Sequence, residues 1–254
     1  EAQNAFLLNV DGERLLIRSG YRDSYGSRHH REWMWQTKSV NSITVDGQGQ
    51  VPHSAAARGE ITAFHTEPGL HYVEGEAAGA YDGRLERFTR GILVVEPDLI
   101  VIHDRLRAPE ASSHEWRLHA RTPFELEGTE AVVRGERAAC RVRFLAPDGL
   151  ELSQTDRFDP PPRERVQLVE QHLTAVAPAS REATFVAVLR TFDADEEPPP
   201  RARFERLGNV FHLETQVGGA RVTVDVDERG ELSCGRLTIE PASLSVFTAS
   251  AARL

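Results

Sequence analysis

The stretch LERFTRGILVVEPDLIVIHDRL, residues 85–106, limits what this chain can fold into more than any other part of it. Two β-branched runs, ILVV and LIVI, flank Glu96-Pro97-Asp98, which puts proline in a turn and out of a strand ladder. Both runs are apolar at successive positions, so the strands they form need cover on both faces. The rest of the chain repeats the signal more weakly: polar and apolar residues alternate, and turn residues recur roughly every 8–12 positions. AFLLNV and ERLLIRSG make a first hairpin around Asp11-Gly12, a pair suited to the positive φ of a tight turn. SITVDG, HEWRLHA, RVQLVEQHLTAV, TFVAVLRTF, NVFHLETQV and ARVTVDVD continue the pattern. Helix signals are scarce, and the lack of a fixed-period repeat argues against a propeller or solenoid.

These signals predict an all-β chain, a large antiparallel β-sandwich. Residues 1–155 are expected to form the main sandwich, with an irregular loop over 20–41. Residues 156–254 are expected to continue it or to add a smaller second β-layer. DRFDPPPRER (156–165) is charged and proline-rich, which suits a boundary or an edge crossing, and EEPPP (196–200) reads as a solvated linker. At 254 residues the chain can bury a substantial core as one large or two smaller domains. It enters a strand almost at once after Glu1, which raises the expectation of a domain upstream.

The formal net charge of −9 opposes binding to nucleic acid, and no run approaches the ~18 apolar residues of a membrane-spanning helix. Cys140 and Cys234 form no CxxC pair and have no histidines at zinc spacing; one bridge between them is open, and two buried free thiols are the favoured expectation. There is no GxSxG elbow, HExxH pair, P-loop or dinucleotide glycine fingerprint.

One segment inverts the charge balance. Between residues 18 and 38, Arg18, Arg22, Arg28, Arg31 and Lys38 face only Asp23 and Glu32, a local charge of +3. Arginines for bidentate carboxylate or sulfate contacts, histidines for proton transfer, and Tyr21, Tyr25, Trp33 and Trp35 for stacking suit an anionic sugar polymer. The competing reading is a surface loop whose arginines are solvated and whose tryptophans anchor it. His29-His30 is a weak metal signal, because adjacent residues on a strand point to opposite faces. His114 and His119 read as structural.

The ordered phrases NAFLLNVDGERLLIRSGY, HHREWMWQTKSVNSITVDGQGQ, GEITAF, YVEGEAAGAY, LERFTRGILVVEPDLIVIHDRL and HEWRLHA resemble the C-terminal β-sandwich region of heparinase II/III-like proteins. The resemblance runs well over residues 3–120. It implies a polysaccharide lyase that acts by β-elimination on a uronate-containing, anionic polysaccharide, with an α/α-toroid upstream that carries several catalytic groups. It also implies a periplasmic or secreted location. With that reading, His29, His30 and Tyr25 become the catalytic candidates, as proton-handling or carboxylate-contacting groups. Arg28, Arg31, Trp33, Tyr21 and Gln36 become the substrate-binding ones. Such sandwiches hold a structural metal through a histidine before the QN phrase, an aspartate ending an LLID-type strand and a histidine in a TKAHN-type phrase. Here the last two positions are Arg18 and Val40, which cannot ligate it, so no cofactor is expected. A non-catalytic carbohydrate-binding or packing module of a larger protein is the alternative.

Overall fold

The computed structural model describes residues 1–227 and the strands at 237–240 and 247–249. A hairpin of β1 (Leu8–Val10) and β2 (Glu13–Leu16) turns at Asp11 and Gly12, both with positive φ, as the Asp-Gly pair predicts. The next ten strands are β3 (Ile43–Val45), β4 (Glu60–Glu67), β5 (Leu70–Glu76), β6 (Arg87–Val95), β7 (Leu99–Ala120), β8 (Phe124–Glu127), β9 (Glu130–Arg134), β10 (Ala138–Ala146), β11 (Glu151–Thr155) and β12 (Gln171–Asp193). They form one antiparallel sheet in the order β4-β5-β6-β7-β12-β10-β9-β8, with β3 added to β7 and β11 to β12. A further sheet follows in simple order from β13 (Arg203–Leu207), β14 (Val210–Val217), β15 (Ala220–Asp227), β16 (Leu237–Glu240) and β17 (Phe247–Ala249).

Two long strands fold the large sheet over on itself. The first half of β7 pairs with β6 and His114, Glu115 and Trp116 in its second half pair with β3, while β12 pairs first with β11 and then with β10. Between these halves the β7–β12 register slips around Ala177, Ser180 and Glu182. Such irregularities bend strands at sandwich corners. The extent of the bend is visible within β7 itself. Asp104 and Trp116 lie twelve residues apart, roughly 40 Å in extended chain, yet the Trp116 indole donates to Asp104 Oδ2.

The two layers made this way enclose the main core, in which Leu16, Ile43, Phe88, Trp116, Phe185 and Leu189 are buried. A second core lies on the other face of β6, β7 and β12, where Leu99, Val101, Val186 and Val188 meet Phe211, Leu213, Val222 and Val224. Adjacent Val101 and Ile102 therefore face different cores, the two-sided cover that the apolar runs of 85–106 demand. Arg190 fastens the layers, donating to Asp98 in the turn before β7 and to Thr215 Oγ1 of β14 at 2.8 Å. Cys140 is buried and free, its thiol pushed up to about 12 by burial, while Cys234 lies outside the described residues. Among the described residues no helix is long and apolar enough to cross a membrane.

Candidate functional site

The loop over 20–41 is not strand-like where its histidines lie. His30–Met34 form a short helical turn, entered through His29 in the right-handed helical region, and Thr37–Ser39 form a second. The spacing argument for alternate strand faces therefore does not apply to His29 and His30. Asp23 holds the loop in place. Its Oδ1 accepts from Ser24 N at 2.7 Å and from the Ser27 hydroxyl, its Oδ2 accepts from Arg163 N at 2.8 Å, and Arg165 donates to its carbonyl. Burial works to raise the Asp23 pKa, but these hydrogen bonds outweigh it and hold the carboxyl below its ordinary value. The loop is thus strapped to the proline-rich segment after residue 156.

His29 is fully enclosed. It stacks nearly parallel on Trp33 and meets the edge of Phe158 at 5.2 Å, while its Nδ1 lies 2.8 Å from the Pro160 carbonyl. A carbonyl only accepts, so Nδ1 carries the proton and neutral His29 keeps its lone pair on Nε2. That nitrogen is buried with no partner among the described residues. His30 shows the opposite arrangement. Gly26 N–H donates to its Nδ1 at 2.9 Å and burial lowers its pKa, so neutral His30 carries its proton on Nε2.

Two further histidines join from distant strands. His119 of β7 and His172 of β12 place their Nδ1 atoms 3.0 Å apart, close enough to share one proton. Trp33 lies 4.8 Å from the His172 ring and donates from its indole to Ser19 Oγ at 3.1 Å. Burial lowers the His172 pKa to about 4 and takes His119 well below its ordinary value, so both are neutral at pH 7. Phe158, 4.8 Å from His172, closes the group.

The sequence candidates therefore divide. His29, His30 and Trp33 are buried, whereas Tyr25 is 78% and Tyr21 56% exposed. Arg28 pairs with Glu32 at 2.9 Å on the surface, Arg31 donates to the Gly26 carbonyl, and Gln36 donates to the Arg31 carbonyl at 2.9 Å. Tyr25 packs edge-on against His30 at 5.4 Å, which places an exposed phenol beside a neutral imidazole. His172, Phe158 and Ser19 were not legible as members of this group. They come from segments that read as a strand, a boundary and a hairpin tail; the β7–β12 register sets His172 opposite His119, and Phe158 of the strap and Ser19 after β2 close on that pair.

The metal implied by the resemblance does not fit these residues. Arg18 is itself a cation, donating to Glu1 Oε1 at 3.1 Å and to the Met34 carbonyl, and Val40 is a buried aliphatic side chain. Neither offers a lone pair to a metal ion.

Fold and loop together define a large antiparallel β-sandwich domain whose irregular edge is built from the 19–41 loop and the 156–172 strap. The chain belongs to the family described as Heparinase II/III-like, C-terminal, which matches residues 2–202. Among solved structures it is similar to the heparan sulfate lyase HepC from Pedobacter heparinus, with 14% identity over 88% of this chain and a TM-score of 0.69. It is also similar to a heparinase III, with 16% identity, 88% coverage and a TM-score of 0.66. The chain spans 36% and 35% of those two proteins, about a third of their length. No curated protein sequence matches it.

Proposed function

We propose that this chain is the β-sandwich part of a polysaccharide lyase that cleaves a uronate-containing polysaccharide by β-elimination. In that reaction a base removes the C5 proton, the C4–O4 bond breaks, a C4=C5 double bond forms and O4 leaves with a proton. No water is consumed. Charge develops on the uronate carboxylate as the C5 proton leaves, so a donor aimed at that carboxylate lowers the barrier.

The observation that carries the reading is the Tyr25–His30 contact within the family fold. A neutral His30 with its proton on Nε2 is suited to donate to the carboxylate, and the exposed Tyr25 hydroxyl is suited to protonate O4. Arg28 and Arg31 clamp flanking anionic groups, Tyr21 and Gln36 support the sugar contact, and the buried Trp33 holds the loop beneath them. His29 holds an unpaired Nε2 lone pair, a proton acceptor that the strap covers. The remaining catalytic groups come from an upstream α/α-toroid, and the same kinship supports a periplasmic or secreted location as part of this reading.

Incubating the full-length protein that carries this chain with alginate and heparan sulfate tests the proposal through the absorbance of unsaturated uronate ends. Tyr25→Phe should lower turnover by roughly 10²-fold or more and leave glycan affinity intact. Unaltered turnover would remove Tyr25 from the mechanism. Burial of His29, Trp33, His119 and His172 favours a second reading, a packing or binding module without catalytic groups. In that case alanine at both His29 and His30 leaves turnover by the full-length protein unchanged.

A further inference from the structure

The histidine group is covered, but beside it the outer face of the β1–β2 hairpin forms an open cleft of about 720 Å³. Asn9 and Arg14, directly opposite each other in the hairpin register, line it together with Tyr21, the 167–170 segment and Arg121, just past the end of β7.

Three features of this cleft point to one ligand chemistry. First, Arg14 and Arg121 are exposed and make no side-chain hydrogen bond or ion pair with any described residue, whereas the third arginine, Arg18, is already tied to Glu1 and Met34. Second, the lining offers one carboxylate, Glu170, which is buried and engaged, accepting the Gly20 N–H at 2.8 Å. Two unpaired guanidinium groups therefore face a solvent-filled groove on a protein of net charge −9. Third, of the eight large hydrophobic side chains exposed among the described residues, Leu7, Tyr21 and Val169 open onto this groove. Anionic groups alternating with apolar sugar faces match such a surface: guanidinium binds carboxylate or sulfate bidentately, and an aromatic ring stacks on a pyranose face.

We infer that this cleft is a binding subsite for an anionic glycan, with Arg14 and Arg121 each holding a carboxylate or sulfate and Tyr21 stacking on the sugar between them. The inference rests on the uronate reading above and extends it to residues outside the 25–36 cluster. Gly20 joins the two regions. It lines the cleft, and a Cβ placed on it would come within 3.3 Å of His29 Nε2.

Titration calorimetry on the 254-residue chain tests this directly, using a uronate-only alginate oligosaccharide, a sulfated heparin oligosaccharide and an uncharged cello-oligosaccharide. The charged probes should bind with an affinity that falls as salt rises, and the uncharged one should not. Arg14→Ala and Arg121→Ala should each weaken binding roughly tenfold with unchanged Tm, since both side chains are solvent-exposed. Tyr21→Ala should weaken the charged probes as well. Preference for heparin over alginate assigns the arginines to sulfate, and equal affinity assigns them to carboxylate. Full affinity in the Arg14/Arg121 double variant, with loss in an Arg28/Arg31 double alanine variant, would place the glycan on the loop and overturn the subsite while leaving the uronate reading standing. Binding of neither charged probe would overturn the subsite, whereas the uronate reading stands or falls with turnover by the full-length protein.

Discussion

Arg90 carries a charge into the centre of the sandwich, and everything it can donate to is supplied there. Its Nε and Nη2 bond Asp104 Oδ1 and Oδ2, both at 2.7 Å, and Nη1 reaches the carbonyls of Asn4 and Asn41. A buried pair of this kind adds little net stability over apolar residues, but removing one partner strands a charge. Arg90→Met and Asp104→Asn should each cost about 3–5 kcal/mol in denaturant unfolding, while the double variant loses far less than the sum. Additive losses would show that the two charges are not coupled. Gly20 makes a second prediction. Its φ is +100°, and a Cβ there would lie 2.8 Å from Met34 Cγ and 2.9 Å from Trp33 Cδ1. Gly20→Ala should therefore destabilise by about 2 kcal/mol or more, and a Tm equal to the wild type would refute that packing. Neither Arg90 nor Asp104 was legible in the sequence. Each occupies an inward strand position where the alternating pattern leads one to expect an apolar residue; the β6–β7 register sets them directly opposite each other, and the layer folded over them buries the pair.

Among the elements, the first hairpin and the 85–106 hairpin were the most legible, because Asp11-Gly12 and Glu96-Pro97-Asp98 mark their turns chemically. The strap was not. DRFDPPPRER reads as a boundary because prolines exclude a ladder, yet Phe158 and Pro160 are what cover the histidines. The corner in β7 and β12 was equally hidden, since a slipped register leaves no period in the sequence. A small element contact offers a test. The Glu13 carboxylate of β2 accepts from the backbone N–H groups of Glu136, Arg137 and Ala138 at the β9–β10 turn, fixing the hairpin to the main sheet. Those backbone hydrogen bonds hold the Glu13 pKa below its ordinary value. The stability it contributes is therefore present above the unfolded carboxylate pKa and lost as pH falls through the folded one. Glu13→Gln should cost about 1 kcal/mol at pH 7. Amide exchange at 136–138 should rise with it, and unchanged protection there would argue against the contact.

At the scale of the whole molecule, the family kinship was legible from ordered phrases, and the three sheets explain why: those phrases mark the strands and turns around the main core. The site was only half legible, because charge and aromatic content picked out loop 20–41 but could not show which side chains fold inward. The buried histidines also set the pH response of the whole fold. His172, with its pKa near 4, and His119, lower than usual, refuse protons that the unfolded chain binds at its ordinary value near 6.5. Stability should therefore be full above about pH 6.5 and fall as pH drops toward 4, by on the order of 2 kcal/mol or more. His172→Asn should flatten that slope in thermal melts between these limits, and an unchanged slope would assign acid sensitivity elsewhere. The central claim concerns the reaction itself, and the decisive measurement is the chemistry of the new chain ends when the full-length protein acts on a uronate polysaccharide. β-elimination predicts one C4=C5 double bond for each bond cleaved and no oxygen taken up from labelled water. Saturated ends carrying solvent oxygen, or no cleavage of any uronate polymer, would contradict it.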